Sequence, residues 1–132
     1  MEAEAITEAT IRQLIDAGES ETAEFRNVPS HPDMQQSMAR VMVAFANTHG
    51  GTILVGVDHR HHITGAPGAE IEGMLREIAT KRTKPSVETT IRSQNMEGKP
   101  VYVITIAPSK HRHMLASNGL PYMRVGKSEQ LA

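Results

Sequence analysis

The sequence predicts a small α/β domain, α+β in the broader sense, with a mixed β-sheet packed against two main helices. Three observations predict it. A long apolar stripe, Met34, Met38, Val41, Met42 and Phe45, recurs at helical spacing. The run Thr52-Ile53-Leu54-Val55-Gly56-Val57 is almost continuously apolar, as in a strand buried on both faces. Helical and extended patterns are interleaved along 132 residues, the length of a single domain.

The elements follow in order. Thr7 to Asp16 reads as a short helix, with Ile11, Leu14 and Ile15 on one side and Gly18 as its stop. Thr22 to Arg26 is a short extended piece, and Asn27 to Ser30 a polar turn. The main helix runs from about Pro32 to Thr48, with Ser30 as its expected cap and Asp33 near the positive end of its dipole. Gly50-Gly51 ends it. After the buried strand, Asp58 to His62 is a polar turn and Ile63-Thr64-Gly65 a short return strand. A second main helix spans Ala69 to about Thr80, facing inward with Ile71, Met74, Leu75 and Ile78. Val87, Thr89 and Ile91 alternate with polar residues, predicting a strand with one wet face. Asn95 to Gly98 is a turn, Val101 to Ile106 an apolar strand, Ser109 to Gly119 a basic loop, and Tyr122 to Val125 a last strand.

Composition narrows the function. With two Phe, two Tyr and no Trp, the core must be aliphatic with Met as filler. The absence of cysteine excludes disulfides, thiolate metal sites and a cysteine nucleophile, and fits a cytoplasmic protein. The acidic start lacks the pattern of a signal peptide, and no apolar run has the length of a membrane span. Net charge is −1, but the charges are unevenly spread. Acidic residues crowd the first thirty positions. Lys81, Arg82 and Lys84, then Lys110, His111, Arg112 and His113, then Arg124 and Lys127 make the later chain basic.

Familiar catalytic signatures are missing. Gly126-Lys127-Ser128 preserves only the end of a P-loop and follows a strand, so Walker-type ATP hydrolysis is rejected. His59, His61 and His62 crowd one turn and His111 and His113 another, without a helix-based zinc pair, and read as exposed loop side chains. No nucleophile elbow supports a Ser-His-Asp triad. Gly50-Gly51 reads first as architecture, letting the chain turn from helix into sheet.

Three segments together resemble the Schlafen AlbA-like family. They are Gly18-Glu19-Ser20-Glu21-Thr22-Ala23-Glu24-Phe25-Arg26, then Ala44 to Asp58 with Ile63-Thr64-Gly65, and finally Ala107-Pro108-Ser109-Lys110 with Tyr122 to Ser128. The resemblance implies a nucleic-acid-binding domain acting on RNA or DNA in transcriptional or translational regulation. It places Lys110, Arg112, Tyr122, Arg124 and Lys127 near the binding groove, where cations would neutralise phosphates and Tyr122 would stack on a base. Two alternatives stay open. In one, Glu19, Glu24 and Asp58 hold Mg²⁺ or Mn²⁺ as a metal-dependent endoribonuclease acting on structured RNA such as transfer RNA. His59 stands where the family often has a second acidic residue. In the other, the domain is a non-hydrolytic ATP- or nucleotide-binding module. The resemblance further implies a homodimer and, in bacterial relatives, additional C-terminal domains.

Overall fold

A computed structural model describes residues 6–132. Helix α1 (Glu8–Ala17) leads into β1 (Ala23–Arg26), α2 (Pro32–Asn47), β2 (Gly51–Val55) and α3 (Ile71–Lys81). Five of the six remaining strands are β3 (Thr83–Lys84), β4 (Thr90–Met96), β5 (Lys99–Ile106), β6 (Met114–Leu115) and β7 (Tyr122–Val125), and β8 (Ser128–Leu131) is last. The main sheet has the order β1-β2-β5-β4. It is mixed: β1 and β2 are parallel, joined over α2, while β2–β5 and β5–β4 are antiparallel. Two small ribbons, β3–β6 and β7–β8, stand apart from it.

The apolar run in β2 reflects burial on both sides. Ile53 and Val55 join α2, α3, Ile104 and Ile106 in one core cluster. Leu54 and the following Val57 join Phe25, Val103 and the Ile11 and Ile15 face of α1 in another. The sheet is thus covered by the two main helices and the short first one: α2 and α3 cover one face, and α1 covers part of the other. Its α1 end is held by a capping box, in which Thr7 and Thr10 exchange hydrogen bonds.

Several boundaries differ from expectation for local reasons. No side chain caps α2: His31 occupies the cap position and makes no cap hydrogen bond, so the cap expected of Ser30 is not made, and Pro32 at the first turn, having no N–H, leaves one donor fewer to satisfy. The strand expected from Val87 begins only at Thr90. The Val87 N–H is claimed by the Thr83 hydroxyl at 2.9 Å and has no ladder partner. β4 and β5 meet through Glu97-Gly98, both at positive φ (56° and 80°), as a tight two-residue hairpin requires. Within the loop expected over Ser109 to Gly119, Met114 and Leu115 pair with Lys84 and Thr83. Ile63 makes only an isolated bridge to Val57.

Gly50 and Gly51 are where backbone freedom is spent. Gly50 sits at φ +75°, and its N–H donates to Phe45 O at 2.8 Å. A Cβ there would stand 2.5 Å from Ile106 O, and one on Gly51 would stand 2.8 Å from the Phe45 ring. We expect Gly50→Ala to lose about 3 kcal/mol in urea unfolding, combining left-handed strain with a clash against fixed backbone. Gly98→Ala, with open space around its Cβ, should lose less.

Candidate functional site

The second half of the molecule is organised around one buried cation. Arg124 lies on the inward side of β7 with its side chain wholly buried. Its backbone N–H donates to Thr48 Oγ1 at 2.8 Å, and Thr48 in turn donates to Ala44 O. The guanidinium lies 4.9 Å over the Phe45 ring. Nη1 meets Glu24 Oε1 and Glu129 Oε2, each at 2.9 Å. Nη2 donates to Ser20 O and Ala23 O, and Nε donates to Ser20 O. Four of the five guanidinium N–H donors are hydrogen-bonded, and the Glu24 charge lies beside Nη1 as well.

Glu24 and Glu129 extend the network outward. The second oxygen of Glu24 takes Arg26 Nε at 2.6 Å, and Arg26 also reaches Ser37. The second oxygen of Glu129 lies 3.7 Å from Arg40. Burial and the nearby Glu24 charge push the Glu129 carboxyl above the usual range, against the pull of Arg124, Arg26 and Arg40. The expected phosphate contact by Arg124 is therefore corrected: its side chain is wholly buried and ringed by its own acceptors.

The three carboxylates expected to share a metal are engaged elsewhere. Glu24 is held as just described. Glu19 Oε2 accepts the Phe25 N–H and Oε1 meets His59 Nδ1, both at 3.0 Å. Partial burial opposes ionisation of Glu19, but the Phe25 and His59 hydrogen bonds and the His59 and Arg124 charges outweigh it, holding the carboxyl below 4.5. Asp58 Oδ1 accepts the N–H groups of Arg60 and His62, closing its own turn, and these bonds hold its carboxyl below the usual range. Glu19 does approach the turn after β2, yet it does so through His59. Among the described residues no group of three or more His, Asp or Glu is placed to hold a metal ion. The residues do not fit the divalent ion expected of Glu19, Glu24 and Asp58, because the same carboxylates serve as acceptors for a buried guanidinium and backbone amides.

The remaining cations sort by partner. Arg12, Arg76 and Lys81 sit in exposed ion pairs with glutamates, and Arg82 bonds the side chains of Gln35 and Gln36. Lys84, Lys110, Arg112 and Lys127, and elsewhere Arg60 and Arg92, are exposed and have no carboxylate partner among the described residues, while Lys99 donates to Ile63 O. Lys110 and Arg112 border a concavity that also includes Asn47 and Met123. Lys84 pairs in register with Met114, two residues beyond Arg112. Lys127 lies at the turn of the β7–β8 hairpin, the far end of β7. Tyr122 is half-buried; Arg40 lies 5.8 Å over its ring and Asn118 donates to its hydroxyl. One face expected to stack on a base is therefore already occupied.

Asn47, read from the sequence only as part of a turn, fixes the basic loop. Its amide nitrogen donates to His113 O and Tyr122 O, and its oxygen accepts the His113 N–H, all at 2.9 Å. Ser109 N–H donates to Ala46 O at 2.8 Å. The segment between is thus pinned at both ends to the C-terminal end of α2. The sequence signal was the Asn47-Thr48 pair, one residue before two glycines, a polar pair at the end of a buried helix.

Comparison with known proteins agrees with the three-segment resemblance. The family model described as "Schlafen, AlbA_2" matches residues 19–132. No curated protein matches the chain. Among solved structures, the DIP2311 protein from Corynebacterium diphtheriae superposes with a TM-score of 0.71 at 19% identity. That alignment covers 94% of this chain and only 26% of the other. The N-terminal domain of a protein from Nitrosomonas europaea, described as ATP-dependent DNA helicase RecG-related, gives 0.67 at 22% identity, covering 96% and 93% of the two chains. At such identities these likenesses establish the fold.

Removing the central guanidinium should be far more damaging than removing an exposed one. Arg124→Met leaves Glu24 and Glu129 buried against each other, and we expect a loss of about 3–5 kcal/mol in urea unfolding. Adding Glu129→Gln should restore part of that loss. Because the Glu19 carboxyl is lowered in the fold, its contribution is present above pH 4.5 and lost as pH falls through the folded value. The stability gap between the wild type and Glu19→Gln should therefore narrow in acid, as followed by thermal melts across pH.

Proposed function

The chain belongs to the Schlafen, AlbA_2 family, and on that premise we propose that it is a nucleic-acid-binding module gripping the phosphate backbone. The observation that carries the reading is the exposed Lys110-His111-Arg112 segment, unpaired by carboxylates among the described residues and pinned at its base by Asn47 and Ala46. Exposed cations already tied to glutamates gain little from a new anion, whereas free ones release counterions when they meet phosphate. A rigid base limits the entropy lost on binding.

Lys84 and Lys127 extend the surface in two directions. β7 separates Lys127 from the Lys110–Arg112 end by roughly 13 Å, at about 3.3 Å per residue. That is the length of about four base pairs at 3.4 Å each. One duplex or folded RNA strand would bridge both ends. With few aromatics, and with Tyr122 partly covered by Arg40, recognition rests on backbone and shape. The helicase-related neighbour supports a nucleic-acid context, by analogy of fold only.

Fluorescence anisotropy with a DNA duplex and with transfer RNA, across a salt series, tests the reading. Lys110→Glu with Arg112→Glu should weaken binding at least tenfold, about 1.4 kcal/mol. The double variant should also lower the log–log salt slope by roughly two, one per lost phosphate contact. Lys81→Glu, a residue already paired with Glu77, should change little. Unchanged affinity in the double variant would overturn the proposal.

A further inference from the structure

We propose that Ser109 and His113 form a nucleophile–base pair that takes up the acyl group of a small apolar ester. His113 is buried, and its ring is held from both sides: Nδ1 lies 2.7 Å from Pro85 O and Nε2 lies 3.0 Å from Ser109 Oγ. The carbonyl can only accept, so Nδ1 carries the proton. Nε2 of the neutral ring then offers its lone pair to the Ser109 hydroxyl. This is the arrangement a serine nucleophile needs: a base within hydrogen-bond reach, and a third group fixing the tautomer of the base. Here a backbone carbonyl stands where hydrolases place a carboxylate.

The pair is preorganised and accessible. Ser109 is exposed while its partner is not. The backbone is clamped by Ser109 N–H to Ala46 O and by the exchange between His113 and Asn47, and the His111 N–H donates to Ser109 Oγ at 3.1 Å. The N–H of Lys110, which follows the nucleophile, has no partner among the described residues and is a candidate donor to a developing oxyanion. Both residues line a cleft of about 450 Å³ whose walls include Pro85, Val87, Ala107 and Pro108. Glu88, Lys110 and His111 line the same cleft, so its apolar side suits the acyl group and its polar side the leaving alcohol.

The chemistry balances with water as the only co-reactant. Ser109 Oγ bonds to the ester carbonyl carbon as its proton passes to His113 Nε2. The carbon–oxygen bond to the leaving alcohol breaks, and that alcohol takes the proton from His113. Water repeats the sequence on the acyl-serine, releasing the carboxylic acid and restoring Ser109.

An alkyl fluorophosphonate, which loses fluoride to a nucleophilic serine, is the probe, with the modified residue located by mass spectrometry. Ser109 should react roughly a hundredfold faster than the exposed Ser117 and Ser128, the range expected for base assistance. Selectivity should vanish in His113→Gln. If that variant does not fold, wild-type protein unfolded in urea makes the same comparison. Ser109→Ala should abolish turnover of 4-nitrophenyl acetate, a reaction that needs no nucleic acid, so this proposal and the preceding one fail separately. Equal labelling of Ser109, Ser117 and Ser128 in the folded protein would overturn it, leaving the pair as a clip for the loop.

Discussion

Arg124 holds together parts of the chain that no sheet hydrogen bond connects. The β7–β8 ribbon lies outside the main sheet. Its position is set by one guanidinium that reaches the segment before β1 through Ser20, β1 through Ala23 and Glu24, α2 through Phe45, and β8 through Glu129. Burying such a group is costly unless every donor finds an acceptor. Here four donors are hydrogen-bonded and two carboxylates meet Nη1, and each carboxylate is shared with a second arginine nearer the surface. The network therefore selects one register for the C-terminal hairpin, because any slip would strand two buried carboxylates.

That demand shapes what the rest of the molecule can do. Much of the acidity of the N-terminal third is paired within the fold. Glu8 pairs with Arg12, Glu19 with His59, Glu21 with His49, and Glu24 with Arg26 and Arg124. Carboxylates engaged in this way leave no coordination sphere for a hard cation, which needs several free oxygen ligands at once. Meanwhile the loop after β5 keeps its cations unpaired. A net charge of −1 thus conceals a locally positive rim.

The stretch from Asn47 to Gly51 shows how a motif can be dense with architecture and still serve a site. Thr48 accepts the Arg124 N–H, Gly50 turns the chain, and Gly51 lets the Phe45 ring lie flat against the strand. Asn47 turns outward from the same helix end and fixes the basic loop and Tyr122 together. Buried arginine, helix end and exposed loop are consecutive links in one chain of hydrogen bonds. A change in the core at Phe45 or Thr48 would be felt at the surface through Asn47.

The residue pattern alone determined α2, β2, α3 and the interleaved α/β class, since each rests on periodicity within one segment and on glycines that end it. It also carried the family, because the three motifs are local. Tertiary structure decided the partners. Arg124 and Lys127 look alike as cations three residues apart, yet one is buried and the other exposed, because Arg124 lies on the face of β7 that meets Glu24, about a hundred positions earlier, while Lys127 lies in the turn beyond the strand. Glu19, Glu24 and Asp58 have spacing that suits a metal, but spacing does not say which donors fold to meet them. The two-residue strands β3 and β6, and β8 with its polar sequence, carry too short or too weak a pattern to read. They form because packing brings Thr83 and Leu115, and Arg124 and Glu129, side by side.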